Sequence, residues 1–225
     1  RVTGANNEGY ISTTLDCEVS DESLESFLLD AKTLQNAIKE IPEQPLLITV
    51  GVADIVFSYK NGKFNMPYLK STFERKQITP TSTLVINSET IESGLKSCMK
   101  FTANDDLRPM MTTIDVSYSA DNKEIVFAAS DGSKLAVKKI AFETENGFNV
   151  NIPSRAAKVI VDMIGRKVLP IELRLNKNTV EAHINGYIIC YRLLDGKFPN
   201  YNSVIPNNPY TLSVNRSNLL AAIKR

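Results

Sequence analysis

One histidine and three cysteines are all the nitrogen and sulfur ligands that these 225 residues offer to a zinc-type site or to thiol chemistry. Cys17, Cys98 and Cys190 lie far apart and are odd in number. That argues against a disulfide framework or a zinc site and fits a reducing cytoplasm. An excess of one charge is missing too: 26 basic against 25 acidic residues leave a net charge of +1. So balanced a chain has no footprint for tight nucleic-acid binding, and any such binding must come from local clustering. No apolar run approaches the roughly 18 residues of a membrane span. No signal peptide is visible, and a chain opening in mid-repeat would not show one. Phosphate-loop, dinucleotide and nucleophile-elbow motifs are all absent. What remains is 43 % hydrophobic and long enough for one or two domains with a real core.

The informative stretch is Thr83-Leu84-Val85-Ile86-Asn87, followed by Ser88–Lys96. It returns as Thr211-Leu212-Ser213-Val214-Asn215, followed by Arg216–Lys224. Both copies read as a short strand, an Asn cap and an amphipathic helix, because Asn places an oxygen over the free N–H groups of a first helical turn. Ile91, Leu95, Cys98 and Met99 fall on one face of the first helix. Such self-similarity signals a repeat architecture.

A second echo supports it. A helix over 31–41, burying Leu34, Ala37, Ile38 and Ile41, precedes strands at Leu46–Val50, Ile55–Tyr59 and Lys63–Leu69, with an Asn61-Gly62 turn. Later a helix at Ser154–Ile164 precedes strands at Pro170–Leu175, Thr179–Ile184 and Tyr187–Leu194, with an Asn185-Gly186 turn. Asn-Gly supplies the positive φ angles of a tight hairpin. Between them lie strands at Thr113–Ser119, Glu124–Ser130, Lys134–Phe142 and Phe148–Ile152. Near the start, Tyr10–Thr14 and Thr14–Val19 alternate as strands do, and Ser20–Ser26 is an acidic turn. The polar stretch Lys70–Thr81 reads as a linker. The expected division is the later part of one repeat over 1–79, a whole repeat over 80–205, and the opening of a third over 206–225. The chain thus reads as a piece of a longer protein. The class is α+β, with two helices packed on antiparallel sheet in each repeat.

Candidate chemistry is thin. His183 sits in a strand and reads as an ordinary surface or edge residue. Asp105-Asp106 reads as a solvated or capping pair. The helices carry more signal: Lys32 and Lys39 on one, Lys96 and Lys100 after the next, then Arg155 and Lys158, with Arg166 and Lys167 beyond. Each alone is a solvated helix face. On successive repeats that close into a ring, they would line a hole and meet phosphates.

Two further segments carry a resemblance. Ala129-Ser130-Asp131-Gly132-Ser133-Lys134-Leu135-Ala136-Val137 resembles the Thr-Asp-Gly-x-Arg-Leu-Ala segment of bacterial DNA polymerase III beta subunits, the sliding clamps. Leu194-Asp195-Gly196-Lys197-Phe198-Pro199-Asn200-Tyr201 resembles their Asp-Gly-x-Phe-Pro-(Asp/Asn)-Tyr segment, and Val204-Ile205-Pro206 follows as it does there. The resemblance covers nearly the whole chain. It implies the DNA-clamp fold, in a head-to-tail homodimeric ring with helices lining the hole. It implies a non-catalytic, cytoplasmic processivity factor with no cofactor, metal or membrane. Its partners would be double-stranded DNA held without regard to sequence, the polymerase catalytic subunit and the clamp loader.

Carried over residue by residue, the resemblance implies a peptide cleft drawing on Met111, Ser130, Gly132, Ser133, Leu135, Pro199 and Val204. It implies Arg108 as DNA-facing, and Phe64 and Met66 at the subunit edge. Pro109 and Met110 depart from the aromatic pair that some clamps carry, and Ser133 and Lys134 depart from the usual His and Arg. The competing readings are an enzyme using Asp105, Asp106 or His183, and a repeat-built interaction module with no DNA role.

Overall fold

A computed structural model describes residues 1–20, 26–71, 73–74, 78–105, 107–145, 147–165 and 168–224. The chain opens on a hairpin, β1 (Val2–Ala5) and β2 (Gly9–Thr13), turned by Asn6, whose side-chain oxygen accepts the Glu8 and Gly9 N–H groups at 2.9 Å each. The strand expected at Thr14–Val19 does not form. Most of the Ser20–Ser26 turn and part of the Lys70–Thr81 linker lie outside the described residues.

Next come β3 (Phe27–Leu28), α1 (Ala31–Lys39), β4 (Leu47–Val50), β5 (Asp54–Tyr59), β6 (Gly62–Pro67) and β7 (Leu69–Lys70). Strands β4, β5 and β6 form one antiparallel sheet, and β3 pairs with β7. Their core is small: Ile55, Phe57 and Met66, with Leu34 and Phe64 packed against it. So little apolar surface cannot bury the face expected of α1. Leu34, Ala37 and Ile41 are half-buried and Ile38 is exposed. The Asn61-Gly62 reading is also corrected. Tyr59 pairs with Gly62, which makes Lys60-Asn61 the loop, and neither Asn61 nor Gly62 has a positive φ. The Gln44 side-chain oxygen accepts the Lys60 N–H at 3.0 Å and fixes that register.

The larger body runs β8 (Ser82–Asn87), α2 (Ser88–Cys98), two short 3-10 turns at Met99–Phe101 and Pro109–Thr112, β9 (Thr113–Ser119), β10 (Glu124–Ser130), β11 (Leu135–Ala141), β12 (Asn149–Pro153), α3 (Ser154–Ile164), β13 (Pro170–Leu175), β14 (Thr179–Ile184) and β15 (Tyr187–Arg192). Helix α2 begins where the sequence places it, with the Asn87 side chain accepting the Glu89 N–H at 2.9 Å. Ile91, Leu95 and Cys98 are buried on one stripe. Gly94 lets the helix lie close on β10, since a Cβ there would stand 2.3 Å from the Phe127 ring. Helix α3 buries Ala156, Ala157, Ile160, Val161 and Ile164. Asn185 closes its C-terminus by donating to the Met163 and Ile164 carbonyls at 3.0 and 3.1 Å. With φ of 51° and 79°, Asn185 and Gly186 form the hairpin turn expected of them.

The strands of this body divide between two antiparallel sheets, ordered β11-β10-β9-β12 and β1-β2-β15-β14-β13-β8. Both sheets and both helices share one core. The hairpin β1–β2 joins that sheet, with Tyr10 opposite Cys190 and Thr13 opposite Tyr187. One sheet therefore crosses the boundary expected at 79/80. After β15, residues 194–200 form a strap that Leu194 N–H and the Asn151 side chain tie to β12, and a 3-10 turn follows at Tyr201–Val204. Last comes α4 (Arg216–Ile223), capped by Asn215 as expected. The strand expected at 211–214 does not form, and every described residue from 202 onward is exposed.

Candidate functional site

The turn joining β10 to β11 is built from its own side chains. Ser130 Oγ accepts the Gly132 N–H at 3.1 Å and donates to the Lys134 carbonyl at 2.8 Å. Asp131 Oδ1 accepts the N–H groups of Ser133 and Lys134 at 2.9 and 2.8 Å. Those two backbone donors hold the Asp131 carboxyl at about 2, below the usual aspartate range. Gly132 takes φ 90°, and a Cβ there would stand 2.5 Å from Arg108 Nη1 and 3.8 Å from Met111 Sδ. The missing side chain thus seats both residues. Leu135, half-buried, pairs with Ser130 at the start of β11.

The 3-10 turn Pro109–Thr112 links this turn to the strap. While Met111 faces Gly132, Met110 packs on Gly196, with its Sδ 2.7 Å from where a Cβ would be. The strap runs over the face of β9 and β12 turned away from the helices, burying Phe198 and leaving Pro199 exposed. Val204, in the next turn, is 68 % exposed. Met111, Ser130, Gly132, Ser133 and Leu135 therefore converge, Pro199 follows on the strap that Met110 touches, and Val204 lies in the turn after it.

Arg108 belongs to the same cluster. Expected to be DNA-facing, it lies against Gly132 and 3.7 Å from Asp105. Lys32, Lys39, Lys96, Lys100, Arg155 and Lys158 are exposed. Lys96 pairs with Glu92 one helical turn away, and Arg155 pairs with Glu8 of the β1–β2 turn at 2.7 Å. Lys39, Lys100 and Lys158 make no ion pair among the described residues. Arg155 and Lys158 line an open cavity of about 550 Å³ between α3 and that turn. Arg166 and Lys167 lie outside the described residues.

Phe64 and Met66, expected at the subunit edge, lie on β6, an outer strand of the β4-β5-β6 sheet. Met66 is 3 % exposed in the small core, and Phe64 stacks on Phe57 at 4.7 Å. Alternation turns both rings and thioether inward, so β6 offers its backbone edge with Lys63 and Asn65 outward. His183 is no edge residue: β14 lies between β13 and β15. Its Nε2 is 2.8 Å from Oε1 of buried Glu181; Arg174 faces that same oxygen and the Tyr10 hydroxyl faces Oε2, at 3.5 Å each. Asp105 accepts the Leu107 N–H at 3.1 Å as a loop cap, and Asp106 lies outside the described residues. No group of three or more His, Cys, Asp or Glu side chains among the described residues is placed to hold a metal.

Sequence reasoning missed three residues here. Met110, treated only as a departure, anchors the strap. Asp115 and Asn151, directly opposite on β9 and β12, are both at least nine-tenths buried beneath it. The available signal was a carboxylate inside the otherwise apolar alternation Ile114-Asp115-Val116.

Residues 86–200 match the sequence model of the DNA polymerase III beta subunit, central domain. The chain belongs to the DNA polymerase III beta subunit family. Along its whole length it is 25 % identical to the beta sliding clamp of Rickettsia bellii, covering 60 % of that protein. Over 88 % of its length it is 27 % identical to the beta sliding clamp of Synechococcus elongatus, covering 54 % of it. Its fold superposes on the DNA polymerase III subunit beta from Pseudomonas aeruginosa with a TM-score of 0.82 at 18 % identity, covering 91 % of this chain and 57 % of that one. The Bacillus subtilis sliding clamp gives 0.81 at 19 %, covering 92 % and 57 %. The chain thus spans little more than half the length of the beta subunits it matches. The matched central domain takes in Arg108, Met111, the Ser130–Leu135 turn and Pro199. Lys32, Lys39, Phe64 and Met66 precede it, and Val204 follows it.

Proposed function

We propose that this chain is part of a sliding clamp that encircles duplex DNA and tethers the replicative polymerase for processive synthesis, with no catalysis of its own. The match of the central-domain family to residues 86–200 carries this reading. In it, partners dock by short peptides on the surface formed by Met111, Ser130, Gly132, Ser133, Leu135, Pro199 and Val204. The geometry supports the assignment: the Gly132 turn seats Met111 at this surface, and its flexible thioether adapts to different apolar anchors. Arg108 stands over Gly132 beside this surface and belongs with the DNA-facing cations. Polymerase catalytic subunit and clamp loader are the partners.

Lys32, Lys39, Lys96, Lys100, Arg155 and Lys158 contact phosphates without reading bases, which suits a ring that must slide. The exposed edge of β6 joins a second subunit in the homodimer. Work on bacterial DNA places the protein in the cytoplasm.

The test is processive synthesis on primed circular DNA by the cognate polymerase, with the intact protein supplied. The expected result is long products with the wild type, and loss of stimulation with Leu135→Asp or Pro199→Asp. Polymerase stimulation that is absent with the wild type, or unaffected by both changes, overturns the reading. A Gln-Leu-x-Leu-Phe peptide should perturb this same surface, since one or two buried anchors typically carry about 2 kcal/mol or more each.

A further inference from the structure

Beneath the strap, two buried oxygens lack partners. Asp115 is 4 % exposed and Asn151 is 5 % exposed, and they oppose one another in the β9–β12 register. Their neighbours Ile114, Val116, Val150 and Ile152 point into the helix-facing core, so both polar side chains project from the other face, under the strap. Oδ1 of each has no hydrogen-bond partner among the described residues. Asn151 spends its amide N–H on the strap, donating from Nδ2 to the Gly196 carbonyl at 2.9 Å. Its backbone carbonyl accepts the Leu194 N–H at 3.3 Å.

Two bare acceptors side by side in a dry site are costly, because neither supplies a hydrogen. Directly opposed antiparallel residues have Cβ atoms about 4.5–5.5 Å apart, within reach of these side chains. One proton on the carboxyl turns an acceptor into a donor and satisfies both groups. We propose that Asp115 and Asn151 form a proton-gated clasp under the strap, in which the Asp115 acid proton is donated to Asn151 Oδ1 and orients the amide that grips Gly196.

The surroundings favour the neutral acid. Burial pushes the Asp115 carboxyl up to about 6, and the Asn149 side chain only partly opposes this. The group opposite it on β10 is Ala128, and the preceding 3-10 turn contributes Met110 and Met111, all uncharged; the strap carries Asp195, paired with Lys177 at 3.0 Å, and Lys197, both exposed. Tyr201 also interacts with Asp115: its phenol is raised by burial first, then by the Asp115 carboxylate and by Cys98. When the proton leaves, Asp115 and Asn151 oppose two acceptors, the amide turns, and Gly196 loses its donor. The strap then loosens, and Met110 passes the change to Met111. The clasp stands on this geometry; its effect on partner binding rests on the proposed peptide surface.

The experiment follows the Asp115 carboxyl carbon by NMR in the intact chain from pH 5 to 8. Amide protection factors across 194–204 and affinity for the Gln-Leu-x-Leu-Phe peptide are measured in parallel. The expected result is a carboxyl titrating near 6, with strap protection falling on the order of tenfold in the same window. Asp115→Asn, neutral at every pH and still a donor, should keep the strap protected with no step. Asn151→Ala should lower protection even at pH 5. A carboxyl already ionised at pH 5, a flat strap in the wild type, or a step that survives Asp115→Asn overturns the clasp. A strap that steps while peptide affinity stays constant supports the clasp and counts against the peptide surface.

Discussion

Single residues carry the strain in this molecule. At Gly132 the left-handed φ of 90° and the nearness of Arg108 act together. An alanine there meets both the backbone penalty and a displaced guanidinium. Gly132→Ala should cost about 1–2 kcal/mol in denaturant unfolding and weaken the peptide as well. Asp115 gives a stability signature of its own. Its folded value of about 6 stands above the unfolded 3.8. The native state therefore binds the proton more tightly. Its contribution is full below about pH 4, is lost between there and about 6, and stays lost above. Asp115→Asn should remove that slope and gain roughly 2–3 kcal/mol at pH 8. Urea unfolding at pH 4.5 and 8 measures both effects.

Among the elements, two Asn-Gly pairs diverge. Asn185 sits at φ 51° and caps α3 through two carbonyls, so it serves a hairpin and a helix at once. Asn61 has no positive φ, because the register shifts the loop to Lys60-Asn61. Asn185→Ala should therefore cost about 2 kcal/mol, from the left-handed backbone and two lost hydrogen bonds. Asn61→Ala should cost a few tenths. Paired thermal melts distinguish the two, and equal losses would contradict the assigned turns. Helix α2 is held by its cap and by its close approach at Gly94, whereas α4 has a cap and no packed face. Amides over 216–223 should accordingly exchange long before those over 88–98.

For the whole molecule, balanced net charge makes the proposed DNA binding depend on which cations are free. Lys100 and Lys158 have no acidic partner among the described residues, whereas Lys96 must leave Glu92 and Arg155 must leave Glu8. Each phosphate contact contributes a slope of about −0.9 to log affinity against log salt. Replacing Lys96, Lys100 and Lys158 together by Gln should flatten the slope by roughly two to three units. The loss should be equal on unrelated duplexes, as fluorescence anisotropy with two sequences would show. A loss confined to one sequence would contradict sliding, because a clamp that reads bases would stall.

Much of this was legible from local signals. Asn87 and Asn215 announce their helices because capping is decided within a turn of chain. The spans of β9, β10, α3, β13 and β14 follow from side-chain periodicity alone, and the Ser130–Leu135 and Phe198–Tyr201 segments carried the family resemblance. What periodicity cannot encode is the partner. Tyr10 opposite Cys190, a pairing across 180 residues that draws the first hairpin into the central body's sheet, is a long-range choice. So is the division of the strands into two sheets around one core. Alternation turned Met66 inward on β6, and only the packing of α1, β5 and β6 made that inward side a core. Asp115 was visible as a letter in an apolar strand. Its burial, its bare oxygen and its facing Asn151 exist only because the strap folds back over that face, and solvent exclusion there is a property of the tertiary structure.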